Sequence, residues 1–276
     1  MKIFLICLAL PAFLLPAACL LYILWQAWPA LSLELITGTV DAIEGQGLSF
    51  GSQQALWHQI SGSLLMMLLA CSLATPIALS IALFHALWAS KRQKKMVLSL
   101  LQVLQSIPPI VYGLCGLVLL VHLLQWGISL AAGAVILSVI ILPLLSSNII
   151  HALERVPFEQ SQAALSLGLS HMEMIVRVWL PSAWSGILTG ILLAMARALS
   201  ETAPILFTAT VFSGIAWPES LFSPVTSLQT HIFYLAQEGS NAQATQTAWA
   251  SAAVLLSLVL CLSLTAWFLR RYEESL

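Results

Sequence analysis

QAALSLGLSHMEMIVRVWLP, residues 162 to 181, interrupts a largely apolar chain, and its local pattern predicts two short helices joined by a tight bend. Pro157 and Phe158, just upstream, can open the first helix, because proline's missing N–H costs nothing in a first turn. The residues up to Leu167 are good helix formers with Ala163 and Ala164 side by side, and Gly168 suits a helix C-terminus. A second short helix is predicted from about His171 to Leu180. Pro181 would stop it by removing an amide from the ladder and clashing with the preceding turn. The result is a knob that a soluble partner can grip, with the two alanines allowing close backbone approach. An ordinary helical loop between membrane spans is the alternative for the same residues.

Outward from this stretch the composition is that of a polytopic membrane protein. Of 276 residues, 60% are hydrophobic and 8% charged, and mean hydropathy is +0.96; a soluble globular domain carries about 25% charged residues. Apolar runs near the roughly 20 residues that a crossing helix needs fall at about Ile3–Trp25, Ile60–Trp88, Met96–Val121, Ile128–Ile150, Gly186–Phe212 and Ala248–Leu269. The expected fold class is therefore all-α, with six transmembrane helices. The first run exceeds the roughly 7–15 apolar residues of a cleavable leader and is read as a retained anchor. Lys2, Lys91, Arg92, Lys94, Lys95, Arg155, Arg177, Arg270 and Arg271 all fall on one side of this topology, which the positive-inside rule makes cytoplasmic. Both termini are then cytoplasmic. The outward loops, Trp28–Gln59 and Ser213–Thr247, carry Glu34, Asp41, Glu44, Glu219 and Glu238 and no Lys or Arg.

Several function classes drop out. Cys7, Cys19, Cys71, Cys115 and Cys261 lie in apolar runs without a CxxC pair and read as small hydrophobes. His58, His85, His122, His151, His171 and His231 are scattered singly, so no metal site is expected. An ATP-hydrolysing chain needs a glycine-rich loop ending in Lys-Ser or Lys-Thr, and neither Lys2, Lys91, Lys94 nor Lys95 stands in one. No catalytic residues are expected. Without a repeat or a long linker, residues 1–276 read as one membrane domain, with 151–185 a loop within it. The two long outer loops, the first rich in turns at Gly38, Gly45, Gly47 and Gly51, offer surfaces to an extracytoplasmic partner. Pro108, Pro109 and Pro143 mark kinks whose freed carbonyls need partners in a bundle or an aqueous cavity.

The tenth basic residue, Arg197, lies inside the fifth run with Glu201. An arginine at mid-span costs about 2.5–3.5 kcal/mol on an insertion scale, so it should face protein or water. On a continuous helix Gly186, Gly190, Ala194, Arg197, Glu201, Pro204 and Thr208 share a stripe about 80° wide. Its small half permits close helix contact and its polar half lines an interface. Arg before Glu is the less favourable i, i+4 order, which argues against a purely structural pair. A planar guanidinium fork matches phosphate-type oxyanions, and Glu201 would keep it from trapping one. Pro204 would free the Ser200 carbonyl and give a hinge. Neutralisation within the bundle is the competing account of the pair.

These segments together resemble a known family. Gln162-Ala163-Ala164, Gly168, Val178, Leu180 and Pro181 stand at the spacing of the cytoplasmic coupling loop of ABC-importer permeases, whose pattern is Glu-Ala-Ala, three residues, Gly, nine residues, Ile, one residue, Leu-Pro. Gln162 replaces the Glu, with Glu159 one turn earlier as a source of charge. Ala196 to Ala209, Ala-Arg-Ala-Leu-Ser-Glu-Thr-Ala-Pro-Ile-Leu-Phe-Thr-Ala, and Ser106 to Leu114, Ser-Ile-Pro-Pro-Ile-Val-Tyr-Gly-Leu, are similar to the A-type membrane subunits of phosphate ABC importers. Sulfate and molybdate permeases share the loop and the Ala-Arg but generally continue Gly-Glu-Phe-Gly where this chain has Ser200-Glu201-Thr202-Ala203. Ser146, Ser147, Asn148 and His151 replace residues that are commonly charged in the family.

The resemblance implies the type I importer permease fold in the inner, cytoplasmic membrane of a prokaryote. It implies a second homologous permease chain, two ATP-binding subunits that alone bind ATP, an extracytoplasmic phosphate-binding protein and surrounding lipid, with no nucleic acid and no cofactor in this chain. Gln162, Ala163, Ala164, Gly168, Leu180 and Pro181 would couple to the ATPase. Arg197, Glu201, Thr202 and Thr208 would line the substrate pathway. An ion-coupled secondary transporter using Arg197 and Glu201 as a proton relay is the rival from another class; a membrane-embedded enzyme would need a nucleophile, acid pair or metal set that the sequence does not offer.

Overall fold

The computed structural model describes residues 2–31, 56–211, 218–239 and 241–274. Glu34, Asp41 and Glu44, the glycines of the first outer loop, and the end of the fifth apolar run beyond Val211 lie outside them. Among the described residues the chain is helical, with one isolated bridge, Thr210 to Val225. Four helices are long and apolar enough to cross a membrane: α1 (Lys2–Ala27), α2 (Trp57–Trp88), α5 (Leu130–Glu154) and α11 (Ala242–Glu274). Four of the six expected runs fall on them.

The other two runs are not single helices. α3 (Lys91–Ser106) and α4 (Pro109–Leu123) meet at 84°, so Met96–Val121 is a bent path. Two consecutive prolines cause the corner. Ile107 and Pro108 are forced extended, as residues before proline are, and Tyr112 donates its hydroxyl to the Leu104 carbonyl at 2.8 Å, covering an oxygen that the end of α3 leaves open. The fifth run breaks as well: α8 (Trp184–Leu199) stops, and α9 (Ala203–Thr208) restarts with Pro204 in its first turn. Pro204 could not donate to Ser200, and ending one helix and opening another resolves the conflict. The continuous seven-residue stripe expected along this run therefore ends at Leu199.

The described residues form two compact units. One takes in the residues up to Ser63 and Thr226–Ser257. There α10 (Leu228–Gln237) begins on a polar cluster, in which the Ser63 hydroxyl accepts from the Leu228 N–H and donates to Gln229 Oε1, both at 2.9 Å. Tyr22 of α1 meets Trp249 edge to face.

The other unit, Leu64–Val211, Pro218–Val225 and the residues from Leu258, is built around α5. Ile141, Leu145, Ile149 and Ile150 are fully buried. The amides that open α5 are satisfied by the Ser129 hydroxyl and by the carbonyls of Ser223 and Leu221. α8 lies closely along α5: a Cβ on Gly186 would fall 2.7 Å from Ala152 Cβ, and one on Gly190 would fall 3.0 Å from Asn148 Cβ. The small half of the expected stripe does permit close packing. The register it sets carries Arg197 seven residues, about 10 Å, beyond Gly190. On the far side of the break, Gly113 of α4 lets Pro204 approach, its absent Cβ standing 2.8 Å from Pro204 Cα.

Candidate functional site

Arg197 sits in the last turn of α8, where a cation is favoured by the helix dipole. The turn then tightens, with Ser200 N–H donating to Arg197 O and Glu201 N–H to Ala198 O, and Glu201 falls in the gap before α9. Across that gap Arg197 Nη2 lies 2.6 Å from Glu201 Oε1. The two partners differ sharply: the glutamate side chain is 8% exposed and the arginine 48%. One corner of the guanidinium is held by a buried carboxylate while the remaining donors, which meet no other described residue, face outward. That is a fork able to take an oxyanion in bidentate fashion. Placing an arginine in a span costs roughly 2.5–3.5 kcal/mol, and with the guanidinium still 48% exposed the one contact to Glu201 leaves most of its donors to be satisfied by water or a ligand.

Thr202, half-buried, follows Glu201 in the chain and precedes α9 with no capping bond from its side chain. Thr208 does not join them. It is fully buried and donates to the Pro204 carbonyl at 2.9 Å, while its own carbonyl accepts from Ser129. Asn148 lies against Gly190 and donates to the Leu144 carbonyl, and Ser146 is buried without a hydrogen-bond partner.

The loop at 162–181 forms the expected knob. Pro157 opens α6 (Phe158–Ser166), and Gly168 adopts φ +79° after it. Leu169 N–H donates to Ala164 O and Gly168 N–H to Leu165 O, the paired closure of a Schellman turn. No atom lies within 4 Å of a Cβ built on Gly168, so its left-handed backbone, not lack of space, demands glycine. Ser170 caps α7 (His171–Ser182) and its N–H and hydroxyl donate to Glu173, which with Arg177 nearby holds that carboxyl below the usual carboxylate range.

Pro181 does not end this arm at Leu180. Ile175–Trp179 widen into a π turn, Leu180 N–H reaches back to Ile175 O, and helical turns run on to Ser182. The wider turn displaces the carbonyls that a proline ring would otherwise strike. α7 then meets α8 at 67°.

Trp179 Nε1 donates to Ser161 Oγ and Ser182 Oγ to Gln160 Oε1, fastening the two arms of the loop. Of the alanine pair, Ala164 packs inward and Ala163 is exposed, as are Gln162, Gly168 and Pro181; Leu180 is half-buried. Leu165, Leu167, Met172 and Val176 add a mostly exposed apolar surface that sequence spacing did not single out.

One cluster escaped the sequence. Glu154 lies 3.8 Å from Nδ1 of His85 and 3.6 Å from Nδ1 of His151. His85 is buried and neither ring nitrogen has a hydrogen-bond partner. The i, i+3 spacing of His151 and Glu154 was visible, but His85 arrives only through the packing of α2 on α5.

Residues 74–275 match the family described as binding-protein-dependent transport system inner membrane component. The chain is 35% identical over 240 residues to the phosphate transport system permease protein PstA of Xylella fastidiosa, covering 86% of this chain and 80% of that one. It is 27% identical to the phosphate transport system permease protein PstC of Pasteurella multocida, covering 89% and 87%. Its fold is similar to that of the MetNI methionine ABC transporter in inward-facing conformations, with a TM-score of 0.62 at 17% identity over 79% of this chain and 95% of that one. Because the matched segment takes in the bent α3–α4 path, the capped loop and the Arg197–Glu201 break together, this chain belongs to the binding-protein-dependent transport system inner membrane components.

Proposed function

We propose that the chain is the membrane-spanning permease subunit of an ATP-binding-cassette importer that carries inorganic phosphate into the cell. The observation that carries this reading is the half-exposed guanidinium of Arg197, anchored on one side by buried Glu201 and open on the other. It can hold an oxyanion without trapping it. Likeness to phosphate permeases of both the PstA and PstC kinds supports the choice of cargo.

In this reading residues 1–276 work as one permease domain with both termini in the cytoplasm, and 151–185 form the coupling loop. Gln162, Ala163, Gly168 and Pro181, with the apolar side chains around them, dock an ATP-binding subunit; Ala164 and Leu180 support that surface from beneath. Two such subunits bind and hydrolyse the ATP. A second homologous permease completes the pathway, and an extracytoplasmic phosphate-binding protein delivers the anion to the outer loops. Gln162 offers the ATPase a neutral amide in place of a charge, so apolar contact through Leu167 and Met172 carries more of the grip.

The test is whether phosphate stimulates ATP hydrolysis by the reconstituted complex. Stimulation by phosphate and not by sulfate or molybdate is expected. Stimulation by either of the other two alone would overturn the cargo assignment. Uptake by this chain alone, driven by an ion gradient, would overturn the ATP-driven mechanism.

A further inference from the structure

α3 carries a polar face that the Arg197–Glu201 site does not use. Lys91, Lys95, Ser99, Gln102 and Ser106 recur at intervals of three or four and share an arc about 80° wide. All five are exposed. Beside them runs a second exposed stripe, Met96, Leu100 and Val103, each more than half exposed, while Leu101 on the opposite side is buried. One helix thus shows an apolar face, a polar face and a packed face.

The 84° corner could lay α3 flat along a membrane surface, but the packing around α5 requires it to climb. α3 starts at Lys91, directly after α2 ends at Trp88, and His85 in the last turn of α2 stands 3.8 Å from Glu154 at the end of α5. Gly116, beyond the corner, lies against Ile136. Eighteen residues of α5 separate those two levels, about 27 Å of helix, and the eight residues of α4 up to Gly116 supply at most about 12 Å. α3 therefore rises through the remaining distance, taking Gln102 and Ser106 to membrane depth. Polar side chains there cannot face hydrocarbon; Met96, Leu100 and Val103 can.

We propose that Lys95, Ser99, Gln102 and Ser106 line the inner half of the translocation route, a hydrated track of donors that conducts the anion from Arg197 towards the cytoplasm. The inference rests on the phosphate-permease reading and extends it to a part of the site outside the charged pair. The chemistry of the stripe favours an anion. It offers ammonium, hydroxyl and amide donors, and no Asp or Glu occurs anywhere from Lys91 to Leu123. Lys95 and Gln102 form no hydrogen bond or ion pair with any described residue, and Ser106 donates only to the Val103 carbonyl, keeping its lone pairs. The lysines stand at the cytoplasmic end, where they draw an anion inward and release it to water. Neutral donors along the middle bind weakly enough for it to move on.

The track is tested in the assembled transporter in inside-out vesicles, with the native cysteines replaced and single cysteines placed along α3. Ser99→Cys, Gln102→Cys and Ser106→Cys are expected to react with an anionic methanethiosulfonate at least about tenfold faster than Leu100→Cys and Val103→Cys, since reaction needs an exposed thiolate. Phosphate should slow the reaction at 102 and 106. Gln102→Glu should lower phosphate uptake by about tenfold or more by setting like charge on the route, with the complex still assembling and Gln102→Asn largely restoring uptake. Unreactive cysteines at 102 and 106, or their crosslinking to the second permease, in a complex whose ATP hydrolysis still responds to phosphate, would overturn the track and leave the cargo reading intact. Protection by sulfate or molybdate in place of phosphate would retain the track and overturn the cargo.

Discussion

Two of the helix breaks in this chain, at Gly168 and at Ser200–Thr202, are held by different physics. The first is closed by its own sequence. A left-handed glycine, a Schellman pair of amides and a capping box at Ser170 satisfy the backbone locally. The second has no capping side chain: Thr202 makes no cap bond, and beyond the Ser200 and Glu201 amides that close on α8 the gap is held by Pro204 packed on Gly113 and by Arg197 reaching forward to Glu201. A locally closed break makes a rigid handle. A break held by tertiary contact and one ion pair can change when either the neighbours or the charge environment changes, as an element on a gated route must.

The comparison breaks most visibly at Arg197. Arg197→Ala leaves Glu201 as a buried carboxylate without its partner, and removing one partner of such a pair costs about 2–5 kcal/mol. Phosphate uptake is expected to fall by about tenfold or more, because the charged hydrogen bonds to the anion, about 1.5–3 kcal/mol, are lost, while the complex still assembles. Normal uptake in a stably inserted variant would remove Arg197 from the pathway. Arg197→Lys discriminates further: a point charge keeps the pairing but loses the planar fork, so assembly should match wild type while uptake stays depressed.

The handle answers to a smaller and different perturbation. Gly168→Pro locks φ near −65° where +79° is required and removes the N–H that closes α6 on Leu165. Loss of ATPase docking or of phosphate-stimulated hydrolysis is expected. Gly168→Ala should cost about 1–2 kcal/mol, the penalty for a left-handed L-residue, and Gly168→Asn less, since asparagine tolerates that region. Equal ATPase binding across the three variants would show that the loop geometry does not matter to coupling.

The same division explains what the sequence revealed. Pro157 and Gly168 act on neighbours within five residues, so the loop was legible in them. The break after Leu199 was only half legible. Pro204 announced a hinge, but that α8 would stop outright, leaving Glu201 in a gap and Thr208 buried behind α9, depends on α4 and α5 packing there. Pro181 misled for the opposite reason. It signals a helix end, yet a π turn over Ile175–Trp179 absorbs it, a choice among backbone ladders that no side-chain pattern records. The His85–Glu154–His151 cluster was out of reach because its members come from helices more than sixty residues apart in sequence.

The smallest expected effect tests the claim that the handle is closed locally. Glu173 is held below the ordinary carboxylate range by the Ser170 N–H and hydroxyl, with Arg177 adding to the effect. A carboxyl whose folded pKa is depressed contributes fully above its unfolded value, 4.5 here, and loses that contribution as pH falls through the folded value. Protection of the first-turn amides of α7 against hydrogen exchange, corrected for intrinsic rates, should therefore hold from pH 7 down to about 4.5 and decline only below it. Ser170→Ala should lower protection at neutral pH and flatten that decline, since it removes the hydroxyl that both caps the helix and holds the carboxylate. Protection around the Ser200–Thr202 break should not change in the variant. If it did, the two breaks would be coupled through α7 and α8, and the handle would be a moving part of the gate.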